Sequence, residues 1–198
     1  SVSPLEEWSL EERVGQLLMV GVPAEGASQE HANIVSAAHA GGVFLHGRCA
    51  DGAEAARAVI ASYTALASRT APLVATDQEG GAVQVLSGPG LSALPAPEEQ
   101  ALLGPEVLTA RAASWGAELA AAGVTMNLAP CADLVDTLAP SANAPIGAWG
   151  RQYGTDAATV TAGVLAFSEG MRSAGVEPVV KHFPGLGRVT DNTDTASR

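Results

Sequence analysis

Five short apolar runs alternate with helix-length segments along this 198-residue chain, and that alternation constrains the fold more than any other feature. The runs are residues 17–22, 42–46, 73–76, 124–128 and 176–180. None shows a clean apolar/polar alternation, so both faces of each strand should be covered. Short strands of this kind, separated by helices, imply a parallel sheet wrapped by helices. The helix signals sit between them. Ser9-Leu10-Glu11-Glu12 is a capping box ahead of the first run. A helix is expected over 28–40 with Gly41 closing it, and a second from Asp51 and Glu54, as caps, to about Ser68. A third runs from Pro105 to Ala122 before Gly123, and a fourth from a Thr155 cap to Ala174 before Gly175.

Polar groups gather just past the strands: His46, Asp77, Asp133 and Lys181. In a (β/α)8 barrel of the TIM type that end of the strands is the functional face. A doubly wound open sheet would place a site similarly. No G-x-G-x-x-G follows the first run, which disfavours a dinucleotide fold. A complete barrel takes about 250 residues, and only five βα units are legible here. The expectation is therefore a single barrel domain over 1–198, truncated, with the rest missing or on a companion chain.

Composition narrows the function. Net charge is −11, so no basic patch is available to neutralise phosphates, which argues against nucleic acid and anionic membranes. No apolar run is long enough to span a bilayer, and no signal peptide is visible at Ser1-Val2-Ser3-Pro4. Cys49 and Cys131 could be one disulfide or two buried thiols. A bridge would close a loop of about 80 residues, add roughly 4–5 kcal/mol and point outside the cytoplasm.

The richest stretch is Lys181-His182-Phe183-Pro184-Gly185-Leu186-Gly187, with a polar tail to Asp194. A cation and an imidazole end the fifth strand, Pro184 stops it, and the glycines let the backbone turn. This suits a binding or catalytic loop. Four other pieces accompany it: Ser9 to Leu18; Asp77-Gln78-Glu79-Gly80-Gly81; Asn127-Leu128-Ala129-Pro130 with Asp133; and Ile146-Gly147 followed by Arg151-Gln152-Tyr153-Gly154. In this order the set resembles the N-terminal domain of glycoside hydrolase family 3, most of all its bacterial β-N-acetylglucosaminidase branch. The likeness covers essentially the whole chain and implies a (β/α)8 barrel.

The resemblance implies sugar contacts for Asp77, Arg151, Lys181 and His182. Their chemistry fits, since a carboxylate accepts two sugar O–H bonds while Lys and Arg only donate. Structural roles compete: Asp77 as a helix cap or ion-pair partner, Arg151 as a surface salt bridge beside an insertion at Ala148 to Gly150. Glu79 is expected to hold its loop. The chain also departs from the branch. Arginines that usually follow the two glycines are Ala82 and Val85 here, and Leu186 replaces a histidine. The usual Asp-Ser-His of the tail is Asn192-Thr193-Asp194. Asp194 is the candidate acid/base, because a carboxyl of raised pKa can protonate a glycosidic oxygen. Asp191 is its nearest rival. The nucleophile, an aspartate from a later strand in the family, is expected beyond residue 198, and the chain alone should be inactive.

The implied activity is removal of terminal β-linked N-acetylglucosamine from cell-wall muropeptides or related glycans, by a retaining mechanism. The alternatives are a β-glucosidase or β-xylosidase of the same family, and a glycan-binding relative without catalysis. A small carbohydrate is the expected partner. No cofactor or metal is implied: His31, His39, His46 and His182 lack a ligand spacing such as H-E-x-x-H. A cell-wall substrate suggests a secreted or envelope location, with the cytoplasm as alternative.

Overall fold

The computed structural model describes residues 4–66, 70–136, 139–192 and 194. Ser68, Thr193 and Arg198, which carried expectations from the sequence, lie outside them. The strands β1 (Met19–Pro23), β2 (Gly42–His46) and β3 (Leu73–Thr76) come first. A hairpin of β4 (Gln78–Gly80) and β5 (Val83–Gln84) follows, then β6 (Met126–Asn127) and β7 (Glu177–Pro178). The helices are α1 (Leu10–Gly15), α2 (Gln29–Ala37), α3 (Ala53–Thr64), α4 (Pro97–Ala101), α5 (Pro105–Ala122) and α6 (Ala157–Ser173).

The main sheet has the order β1-β2-β3-β6-β7, parallel at every pairing. Strand order follows chain order without reversal. A doubly wound sheet would reverse at a switch point, so the α/β architecture is the first five βα units of a TIM-type barrel. Among the described residues, no helix is long and apolar enough to cross a membrane.

Local chemistry explains the elements and several departures. Ser9 caps α1, with the Glu12 amide donating to Ser9 Oγ at 3.1 Å and Glu12 Oε2 accepting from the Ser9 amide at 2.8 Å. The first strand begins at Met19 and not at Leu17, because the amides of Leu17 and Leu18 bond back to Val14 and Gly15 in a turn off α1. Gly52, not Asp51, occupies the N-cap of α3, at φ 93°, and no side chain caps that helix. Asp156, one residue past Thr155, caps α6 by accepting from the Thr159 amide at 2.9 Å.

The helical layer is densest where α5 meets α6. Leu108, Ala112, Trp115 and Leu119 of α5 are buried, as are Val160, Ala166, Phe167 and Met171 of α6. Gly170 makes the approach close: a Cβ there would run into the Thr109 carbonyl and lie 2.6 Å from Ala112 Cβ. Under the sheet, Val22, Val43, Leu45 and Val74 join the same core, each side chain contributing about 1.5–3 kcal/mol by its burial.

Candidate active site

Three strand ends carry the site. Asp77 follows β3, the segment Ala129 to Asp133 follows β6, and Lys181 and His182 follow β7. Backbone pairing continues past the short strands and aligns them. Ala132 N donates to Lys181 O at 2.6 Å and Lys181 N to Pro130 O at 3.1 Å. Asn127 reinforces this by exchanging side-chain hydrogen bonds with the Gln78 backbone, both at 3.0 Å. Three peptides in these segments are cis: Ala129-Pro130, Lys181-His182 and Phe183-Pro184.

The side chains form one network. Lys181 Nζ lies 2.5 Å from Asp77 Oδ1 and 2.5 Å from Glu79 Oε1. Arg151 grips Glu79 with two prongs, Nε to Oε2 at 2.9 Å and Nη2 to Oε1 at 2.7 Å, and donates from Nη1 to the Pro145 carbonyl at 2.8 Å. Arg151 Nη2 also stands 3.3 Å from His182 Nε2. On the other side of that ring, His182 Nδ1 is 2.6 Å from Asp133 Oδ2. Asp133 in turn accepts the Leu186 amide and the Cys131 thiol.

Electrostatics follow from these contacts. Burial alone would raise the Glu79 pKa, but Arg151 and Lys181 outweigh it and hold the carboxyl below its ordinary value. Arg151 is held correspondingly high, its pairing with Glu79 outweighing burial. Asp133 is also opposed by burial, yet the His182 and Leu186 hydrogen bonds bring it down to about 2. Burial pushes the Cys131 thiol up. An ionised Asp133 only accepts, so Nδ1 of His182 carries the hydrogen between them; with Nδ1 as donor to Asp133, Nε2 is the ring nitrogen beside Arg151 Nη2.

Two flanking ties shape the pocket. Asn143 Nδ2 donates to the carbonyls of Leu186 and Val189, both at 2.7 Å, joining the loop after β6 to the loop after β7. Gly187 sits against that loop so closely that a Cβ would strike the Leu134 carbonyl. Behind Glu79, Gln100 Nε2 donates to the Glu79 carbonyl at 2.7 Å, while Gln100 Oε1 accepts from the Tyr153 hydroxyl at 2.8 Å.

Four of the five expected site residues therefore converge: Asp77, Arg151, Lys181 and His182. Arg151 is an interior pair with Glu79 and not a surface salt bridge; its side chain is 14% exposed. Asp194 stands apart. Its residue is exposed, its amide donates to Asn192 Oδ1 at 2.9 Å, and its carboxyl has no hydrogen bond or ion pair to the other four among the described residues. Cys49 and Cys131 are free thiols, so the disulfide alternative is corrected: Cys131 is spent on Asp133, and Cys49 packs in the main core.

Sequence reasoning underrated two residues. Glu79 is the hub of the cationic pair, and Asp133 orients His182. Asp133's place just after a strand was the only local signal. A third, Arg48 after β2, donates from Nη2 to the Ala82 carbonyl at 2.9 Å, bringing a cation to the loop that lacks its own arginine.

The profile of the glycosyl hydrolase family 3 N-terminal domain matches residues 9–197. A Mycobacterium tuberculosis protein named Beta-hexosaminidase LpqI is 33% identical over 185 residues, covering 89% of this chain and 43% of its own length. A Xylella fastidiosa (strain M23) Beta-hexosaminidase is 33% identical over 189 residues, covering 89% and 52%. The chain thus spans about half the length of these curated relatives. Among solved structures, a Beutenbergia cavernae Beta-N-acetylhexosaminidase superposes with a TM-score of 0.93 at 53% identity, over 96% of this chain and 58% of that one. A family 3 beta-N-acetylglucosaminidase from Paenibacillus gives 0.80 at 28% identity, over 94% and 35%.

Proposed function

The chain belongs to glycoside hydrolase family 3, and from that premise we propose that it supplies the sugar-binding half of an exo-acting, retaining β-N-acetylhexosaminidase. The observation that carries this reading is the Asp77–Lys181–Glu79–Arg151–His182–Asp133 network at the ends of three parallel strands. Asp77 keeps one carboxylate oxygen clear of Lys181 and can accept sugar hydroxyls. Lys181 and Arg151 are fixed by Glu79, so their remaining N–H groups donate without losing much rotamer freedom. His182 Nε2 stands 3.3 Å from Arg151 Nη2, so the ring joins the same network. Donors and acceptors fixed before substrate arrives are what an oxocarbenium-like transition state requires.

Terminal N-acetylglucosamine is the favoured sugar, and its β-linked source is cell-wall muropeptide or a related glycan. Asp194 would act as acid/base by bringing its exposed loop over the bound sugar. The nucleophile would come from sequence beyond residue 198, in a longer parent or a companion chain, about 5 Å from the acid/base carboxyl. A cell-wall substrate would place the protein in the envelope or outside the cell; with both thiols free, the cysteines lend that location no support.

One observation favours a second reading, that of a glycan-binding relative without catalysis. The only tail carboxylate at the acid/base place, Asp194, is exposed and away from the network. The test compares this chain with a longer parent on the nitrophenyl β-glycosides of N-acetylglucosamine and glucose. The proposal expects the parent to prefer the N-acetylglucosaminide and the 198-residue chain to turn over neither. Preference for the glucoside moves the assignment to a β-glucosidase. Calorimetric sugar binding without turnover by the parent establishes the binding reading.

A further inference from the structure

On the side of the imidazole away from Arg151, three different donor types meet. Cys131, Asp133 and His182 each offer a ligand atom within 4.8 Å of the other two, with Cys131 Sγ to Asp133 Oδ2 at 3.2 Å and His182 Nδ1 to Asp133 Oδ2 at 2.6 Å. Cys131 and Asp133 are buried, while the His182 side chain is 25% exposed and forms the way in. The two chain segments that carry them are locked together by the Cys131–Lys181 bridge and its backbone hydrogen bonds. Asp133 Oδ1 is held separately by the Leu186 amide, which fixes the carboxylate's orientation.

We propose that Cys131, Asp133 and His182 form a binding site for a thiophilic divalent cation of the zinc class. Sulfur, imidazole and carboxylate together are the donor set of Zn2+ and Co2+, not of Mg2+ or Ca2+. A thiolate and a carboxylate cancel the charge of a dication, as a buried site requires. Zinc bonds of about 2.0–2.3 Å put tetrahedral ligand atoms roughly 3.3–3.7 Å apart. From 3.2 Å the Cys131–Asp133 pair must open by about 0.3 Å, and from 2.6 Å the Asp133–His182 pair by about 0.7 Å, and the partly exposed His182 ring is the member free to move. The fourth position falls on that same side and takes water. The Leu186 amide serves as the outer-shell hydrogen bond that such ligating carboxylates need.

Protons balance simply. The Cys131 thiol gives its proton to solvent, and His182 transfers its hydrogen from Nδ1 to Nε2 and stays neutral. Nε2 then becomes a donor and can no longer accept from Arg151 Nη2, 3.3 Å away. Metal would therefore turn the ring within the sugar-binding network and weaken sugar binding. That last consequence rests on the glycosidase reading; the site itself does not.

The test uses the whole chain, reduced and freed of metal by chelator, titrated with Co2+ and then Zn2+. The expected result is a thiolate-to-cobalt charge-transfer band saturating at one equivalent and abolished when zinc displaces cobalt. Cys131→Ser should remove the band and weaken zinc at least about tenfold, whereas Cys49→Ser should leave both unchanged. A band that survives Cys131→Ser, or zinc affinity that does not change, overturns the proposal. Should Cys131→Ser fail to fold by circular dichroism, X-ray absorption at the zinc edge of the unaltered protein decides. One sulfur at about 2.3 Å supports the site, and a shell of nitrogen and oxygen alone, or no bound zinc, overturns it.

Discussion

Arg151 and Glu79, 72 residues apart in the sequence, meet as a two-pronged pair at 2.9 and 2.7 Å, and Lys181 shares the same carboxylate at 2.5 Å. Glu79 has no exposed side-chain surface. Removing its charge leaves Arg151 without its paired carboxylate and Lys181 with Asp77. Glu79→Gln should therefore cost about 3–5 kcal/mol. Asp77 is different, since its side chain is 25% exposed and, among the described residues, pairs with Lys181 alone. Asp77→Asn should cost about 1 kcal/mol or less. Urea unfolding of the two variants against the parent checks the order. Equal losses would mean that Glu79 is not the hub.

Acid should loosen the site through Asp133. Its carboxyl is held down to about 2, below the ordinary value near 3.9, by hydrogen bonds from His182 and Leu186 that overcome burial. A depressed pKa contributes stability that is complete above the ordinary value and is lost as pH falls through the folded one. The contribution is about 2 kcal/mol, fading between roughly pH 4 and pH 2. The stability gap between the parent and Asp133→Asn, measured in urea, should accordingly narrow over that window. A gap that stays constant from pH 5 to pH 2 would rule Asp133 out as the source.

The α5–α6 contact should dominate the stability of the helical layer. Phe167 is fully buried within it, and Phe167→Ala should cost about 3–5 kcal/mol by lost burial and a residual cavity. Gly170→Ala tests the opposite fault. Its new methyl meets the Thr109 carbonyl and Ala112, so the better helix former should destabilise by about 1–3 kcal/mol. A more stable Gly170→Ala protein, by thermal unfolding, would show that the helices can separate without cost.

The parts legible in the sequence are those with a local cause. Helix α5 could be bounded to the residue because Pro105 starts it and Gly123, at φ 95°, ends it. Strands β2 and β3 coincide with their apolar runs. Strands β6 and β7 shrink to two residues each because the backbone leaves regular pairing as it enters the site: Val179 N is shared between the carbonyls of Asn127 and Ala129. Asp77 and Lys181 were legible from their places just past strands, Arg151 only through a family resemblance. The hub role of Glu79 and the Asp133–His182 pair were not, since contacts spanning 72 and 49 residues leave no periodic trace. The hairpin of β4 and β5 was missed for a related reason. Its pairing is driven by Gln78, whose side chain exchanges bonds with the Leu86 backbone at 2.7 and 3.1 Å, and not by apolar alternation.

Asp194 carries the sharpest functional prediction because its present position gives it no partner in the site network. As the acid, it must protonate a departing sugar oxygen, and that need depends on the leaving group. A dinitrophenolate leaves without a proton, whereas a sugar alkoxide does not. In a catalytically complete parent, Asp194→Ala should lower kcat/KM on an N-acetylglucosaminyl disaccharide by about 10²–10⁴. The same variant should leave the glycosylation step on the dinitrophenyl glycoside nearly unchanged. A loop residue that merely shaped the pocket would depress both substrates alike, through KM as much as kcat. Parallel losses would therefore remove Asp194 from the chemistry and return attention to Asp191, three residues earlier.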